Sequence, residues 1–180
     1  MIVSGTFTPG KQSGTADKDK NCWATSWTCY QDAATLYGRP FNVDVCAEVL
    51  TAKCATYYSL ADGNDALILS WPPHWWCNPP FEQKIAFIRK AFTESRRGSP
   101  GMMLLPYEPA THWWHRELGT GVIVYEPAGR YNFLERDGVT KKTGANFPSA
   151  LVLFPHHFIA HSIKIPFQKG IATEKGYDLI

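Results

Sequence analysis

His74-Trp75-Trp76-Cys77-Asn78-Pro79-Pro80-Phe81 is an apolar run that ends abruptly in a rigid turn. Two prolines fix φ and cannot donate to a sheet ladder, so the run reads as a buried strand and Asn78-Pro79-Pro80-Phe81 as the turn at its carboxyl end. Such a turn presents fixed acceptors. The Asn78 side-chain carbonyl, the Pro79 main-chain carbonyl and the flat face of Phe81 fall within four residues. That set suits a planar heterocycle carrying an amino group. Alone, the tetrapeptide can also be a loop that merely ends a strand, so its weight depends on the context around it.

The context is a chain of 180 residues, the size of one domain. A hydrophobic content of 44% with 19% charged residues is ordinary for a globular protein, whereas 14% aromatic residues, seven of them Trp, is high. No apolar run approaches the ~18 residues that cross a bilayer, and the amino terminus lacks a basic-then-apolar layout, so the expected location is the cytoplasm, with no membrane partner. Five cysteines without a C-x-x-C pair indicate neither a disulfide framework nor a zinc site. The paired histidines have no Cys or carboxylate at ligand spacing, so no metal is expected. A net charge of +2 is too small to signal nucleic-acid binding by itself, and any such contact must come from local clusters.

Residues 1–22 carry Gly, Ser, Thr, Pro and Lys with little apolar periodicity and read as a flexible arm. A helix-like run opens at Trp23 to Trp27 and continues to Tyr37, with Gly38-Arg39-Pro40 as its stop. Phe41 to Ala47 reads as a strand, followed by a short helical piece around Glu48 to Cys54. Asp44 lies where that strand gives way to loop, and Asp65, with Asp62 as a rival, reads as a second acid near a strand end. Carboxyl ends of strands are where open α/β sheets bind ligands. A helix over Phe81 to Phe92, strands at Met102–Pro106 and Gly121–Tyr125, a helix at Thr111–Leu118 and a late antiparallel strand at Leu151–Phe154 complete an α/β sandwich with a largely parallel sheet. The domain spans 23–155, and 156–180 form an extension, either a covering strand or a loose tail. The segment from Gly129 to Phe147 is too long for a tight turn and reads as a loop or hairpin at the ligand edge. Its Arg130, Arg136, Lys141 and Lys142 are the candidates for DNA contacts, with Arg89, Lys90, Arg96 and Arg97 as a second, weaker cluster.

In order and spacing the stretch from Trp23 to Phe154 resembles the phage and prophage DNA adenine methyltransferase (Dam) family. The matching segments are Trp23-Ala24-Thr25-Ser26, Phe41-Asn42-Val43-Asp44-Val45-Cys46-Ala47 with Lys53, Asp65-x-Leu67 running to Trp71, and Trp76 through Phe81. Leu104-Leu105-Pro106, Trp114-His115, Gly129-Arg130 with Phe133, and Phe147-Pro148-Ser149 follow. Ser26 stands where the family has Pro, and Phe81 where Tyr is commoner. The resemblance implies a compact Rossmann-like fold with a reduced first crossover, S-adenosylmethionine as cofactor and double-stranded DNA as partner. It implies methyl transfer to the N6 amine of a flipped-out adenine. Asn78, Pro79, Pro80 and Phe81 would hold that base. Asp44, Cys46 and Ala47 would line the cofactor pocket, with Thr25 and its neighbours Trp23 and Ser26 over the methionine end and Asp65 near the adenosyl end. Other amino groups as acceptors (cytosine, an RNA base, a glutamine amide) or a silent nucleic-acid-binding scaffold are the rival readings. A nucleotide-binding oxidoreductase would want a G-x-G-x-x-G turn, and the sequence has none.

Overall fold

The computed structural model describes residues 23–142 and 147–174. The arm expected over 1–22, part of the Gly129–Phe147 loop and the end of the carboxyl extension lie outside them. The first element is a two-residue strand, β1 (Ala24–Thr25), followed by helix α1 (Trp27–Tyr37). The helix expected from Trp23 therefore begins later. Ser26 is extended (φ −71°, ψ 151°) and its hydroxyl accepts from Cys29 N, so it caps α1. Gly38, at φ 85°, closes the helix by donating its N–H to Ala34 O.

Strands β2 (Val43–Asp44) and β3 (Thr56–Tyr57) run parallel. The helical piece expected around Glu48 to Cys54 is absent; turns occupy it, with Thr51 N and Ala52 N both donating to Glu48 O. The cause is local. The buried Asp44 carboxylate accepts from Cys46 N at 3.2 Å and Lys53 N at 3.0 Å, so a side chain anchors both ends of the segment and takes the Lys53 amide that a helix would have paired internally. The strand end expected beside Asp65 is also corrected: Asp65 follows the 3-10 turn Leu60–Asp62 in a loop, where its carboxylate accepts from Leu67 N.

Strand β4 (Trp75–Cys77) leads through the prolines to the 3-10 turn Phe81–Gln83 and helix α2 (Lys84–Arg96). Then come β5 (Gly101–Pro106), α3 (His112–Leu118), β6 (Ile123–Ala128), β7 (Phe133–Leu134), β8 (Ser149–Phe154), β9 (Ile163–Gln168) and the short α4 (Ile171–Glu174). Seven strands form one sheet in the order β3-β2-β4-β5-β8-β6-β9. Only β8 is antiparallel to its neighbours, as expected for the late strand. β9 supplies the sheet's edge, parallel to β6, so this part of the extension is a strand. β1 and β7 pair separately and antiparallel, with Thr25 opposite Phe133.

Alternation along the central strands explains why the sequence reads as a continuous apolar run. Trp75, Cys77, Met103 and Leu105 pack toward α2 and α3 with Phe87, Ile88 and Trp114. Trp76, Met102 and Leu104 face α1 with Tyr30, Phe41 and Phe133. Helices thus cover both faces, and the central strands are buried between them. Gly101 is required opposite Trp75, because a Cβ there would overlap the indole and its carbonyl.

One buried carboxylate fastens the carboxyl-terminal segment to this frame. Asp32 on α1 is inaccessible and accepts from Tyr131 OH at 2.6 Å, Gly170 N at 2.8 Å and Ala172 N at 3.1 Å. Burial first, and then the neighbouring acids, hold the Tyr131 phenol well above its ordinary range, so it stays a donor. Asp32→Ala leaves three donors, two of them buried, without an acceptor and is expected to lower stability by about 2–4 kcal/mol in urea unfolding, with Tyr131→Phe costing about 1 kcal/mol. An Asp32→Ala variant as stable as the parent would show that the clasp is incidental.

Candidate active site

β2, β4 and β5 are parallel, so their carboxyl ends open on one edge of the sheet, and the antiparallel β8 begins there. Two cavities occupy that edge. The larger, about 490 Å³, is lined by Trp23, Thr25, Asp44, Cys46, Ala47 and Asp65 among others, a size ordinary for a small-molecule site. Ser26, expected with this group, is outside the lining and serves α1 instead. The smaller cavity, about 30 Å³, is lined by Asn78, Pro79, Phe81, Lys84, Pro106, Phe147 and Ser149 among others. Trp23 and Asn78 border both cavities, and Pro80 faces the larger one.

The orientation of Asn78 follows from its partner. Nδ2 donates to Trp23 O at 3.0 Å, and a main-chain carbonyl accepts only, so the amide nitrogen must face it and Oδ1 must face the other way. Trp23 is in turn fixed, 7% exposed and stacked on Phe147 at 5.7 Å with 7° between the planes, with Phe133 tilted against both. Pro80 carries φ −55° and ψ 137° and spends its carbonyl on Gln83 N, which starts the 3-10 turn and sets Phe81. Lys84 Nζ lies 4.1 Å from the Phe81 ring centre, occupying one face of it.

The acids of the larger cavity are partly engaged by the chain. Burial pushes the Asp44 carboxyl up to about 6, against its two amide donors and the Lys53 ammonium, which favour the ionised form. Lys53 is itself buried, lies 4.7 Å from the Trp27 ring centre and donates to Thr51 O at 3.1 Å. The Glu48 carboxylate accepts from Ser59 Oγ at 2.9 Å. Among the described residues, no group of three or more His, Cys, Asp or Glu converges as metal ligands, and no helix is long and apolar enough to cross a membrane.

The basic candidates divide. Lys142 is paired with Glu135 at 3.1 Å and lies 5.7 Å from the Trp23 ring centre. Arg130 and Lys141 are exposed, and Arg136 is exposed at the rim of the larger cavity. In the weaker cluster Arg89 is held by Glu117 at 2.8 Å, and Lys90 and Arg97 by Glu94. Arg96 and Arg97 also close α2 at the end of the sheet opposite the cavities, since that helix runs back from the Asn78 turn to the start of β5. Phe133, Phe147 and Ser149 are the site residues that local reading did not single out as lining. They arrive from distant parts of the chain, and the only sequence sign is an aromatic residue beside each of two turns.

A model of the DNA N-6-adenine-methyltransferase (Dam) family matches residues 12–175. A protein of Haemophilus phage HP1 (strain HP1c1) named DNA N-6-adenine-methyltransferase is 27% identical over 146 residues, 79% of this chain and 83% of that protein. A protein of the same name from Escherichia phage T1 is 26% identical over 106 residues, 58% of this chain and 43% of that longer protein. With the family model spanning nearly the whole sequence, over the same sheet edge that carries Asn78 and both cavities, the chain belongs to the DNA N-6-adenine-methyltransferase (Dam) family.

Proposed function

We propose that this protein transfers a methyl group from S-adenosylmethionine to the N6 amine of adenine in double-stranded DNA, on a compact Rossmann-like domain. One observation carries the reading. Asn78 forms part of the wall of both cavities, with its carbonyl oxygen oriented by the bond from Nδ2 to Trp23 O. A donor in the larger cavity and an amine in the smaller one would meet across that wall.

The larger cavity fits the donor. Its volume accepts a nucleoside with an amino-acid tail, Asp44 and Asp65 offer acceptors for hydroxyl or ammonium groups, and the Trp23 ring suits a cation. S-adenosylmethionine, when bound, supplies an electrophilic methyl on a positively charged sulfur. The chain's own residues do the rest. Adenine's amino lone pair is delocalised into the ring, and the base is a poor nucleophile until that conjugation is weakened. Asn78 Oδ1 and the Pro79 carbonyl, each accepting one N–H, localise electron density on nitrogen and fix the direction of its lone pair. The alkylated nitrogen is strongly acidic, so no side chain need act as a strong base. Phe81 restores stacking to an adenine withdrawn from the duplex. As it stands the smaller cavity has room for a few water molecules only. Entry of a purine therefore requires the Phe147 ring, 6.2 Å from Phe81, to move aside. Arg130, Lys141 and Lys142, from the segments flanking β7, are the proposed phosphate contacts.

Incubation of the purified protein with tritium-labelled donor and DNA, RNA or protein, followed by hydrolysis to nucleosides, distinguishes the acceptors. Label is expected in N6-methyladenine from DNA, and label in methylcytosine or in a glutamine side chain would reject the reading. Asn78→Ala is expected to lower the transfer rate on the order of 10²–10³-fold while DNA affinity stays within a few-fold of the parent. Because Asp44 must be ionised to accept from its own amides and from a ligand hydroxyl together, donor affinity should be full above about pH 6 and fall as pH drops through that value. In calorimetry Asp44→Asn should bind weakly and with no such midpoint.

A further inference from the structure

The larger cavity is rich in carboxylates, with Asp44, Glu48 and Asp65 in its lining. Among the described residues that line it, Arg136 alone carries a positive charge. Its position is built into the fold. β7 pairs with β1 so that Ala24 lies opposite Leu134, and Arg136 follows that strand by two residues. It therefore reaches the rim of the cavity past Trp23, on the side away from Thr25. The turn after it is held by Asp137, whose carboxylate accepts from Val139 N and Thr140 N. Gly138, at φ 71°, rests so closely on Leu50 that a Cβ there would overlap the Leu50 carbonyl oxygen. The hairpin tip is thus seated against the loop that carries Leu50, itself part of the cavity lining. Lys142, on the returning arm of the hairpin, is paired with Glu135.

We propose that Arg136 binds the carboxylate of the cofactor's amino-acid tail, rather than a DNA phosphate. This rests on the reading of the larger cavity as the donor site. A guanidinium matches a carboxylate in two parallel N–H···O bonds, and the other charged groups of the lining would repel that carboxylate. The hairpin then joins the two ligands: its tip closes on the donor while Arg130 and Lys141 stay available to DNA.

The test is calorimetric, on the full-length protein without DNA, with S-adenosylhomocysteine, which has the carboxylate, and 5′-methylthioadenosine, which lacks it. Arg136→Met keeps the side-chain stem and removes the charge. It is expected to weaken S-adenosylhomocysteine about 10- to 100-fold and to leave 5′-methylthioadenosine within about twofold. Arg136→Lys should recover part of the loss, and unliganded melting temperatures should coincide. Equal losses for both ligands, or no loss for either, would overturn the proposal. So would a loss of DNA affinity with S-adenosylhomocysteine binding intact. If the parent itself binds neither ligand, the donor-site reading fails along with the inference; if it binds both and Arg136→Met matches it, only the inference fails.

Discussion

The hydrogen bond from Asn78 Nδ2 to the Trp23 carbonyl is the constraint on which the site depends. It joins residues 55 positions apart, and it fixes which end of the amide faces the cavities. Two features make it rigid. On one side, β4 is inaccessible along its length and the two prolines leave the turn after it little freedom. On the other, Trp23 is packed against Phe133, and the strand that follows it is paired with β7. A polar group held this way loses little freedom when it binds, which is where positioning contributes most to rate.

The remaining architecture supports that bond from both faces of the sheet. Trp75 and Trp76 point to opposite layers, so each layer of helices is anchored to the strand that bears the turn. Trp75 Nε1 donates to Ser99 O at 2.8 Å, and Ser99 Oγ donates to Trp71 O at 2.7 Å, so the Trp75 indole is satisfied on its face of the sheet, whereas the Trp76 indole N–H on the other face is buried without a partner among the described residues. The Asp32 clasp holds the carboxyl-terminal segment against α1 and, through Tyr131, steadies the approach to β7. A defect at Trp75 would reach the site along β4, and one at the Asp32 clasp through β7 and Trp23.

Much of the fold was legible because its signals are local. Ser26 and Gly38 bound α1 by capping chemistry, the prolines mark the end of β4, and the apolar runs at Met102–Pro106 and Leu151–Phe154 are strands by length and composition. The segment around Glu48 to Cys54 was misread because Asp44, a side chain outside any helical pattern, anchors both its ends and takes the Lys53 amide. Asp65 was placed at a strand end that does not exist, because a short apolar stretch before Trp71 forms turns. Of the expected cofactor residues, Asp44, Cys46 and Ala47 share the cavity because they belong to a single strand end and its neighbouring loop, while Trp23, Thr25 and Asp65 reach it from other segments. Arg136 could not be assigned to that cavity from sequence. Its basic neighbours suggest phosphate, and only the pairing of β7 with β1 and the seating of Gly138 on Leu50 bring it to the rim.

A crystal structure of the protein with S-adenosylhomocysteine and a short duplex containing adenine tests the central claim most directly. The account predicts the adenine amino nitrogen about 2.9 Å from both Asn78 Oδ1 and the Pro79 carbonyl oxygen, with the Asn78 amide nitrogen still on Trp23 O and the Phe81 ring against the base. An adenine bound elsewhere, or an Asn78 side chain that leaves Trp23 and turns its oxygen away from the amine, would contradict it.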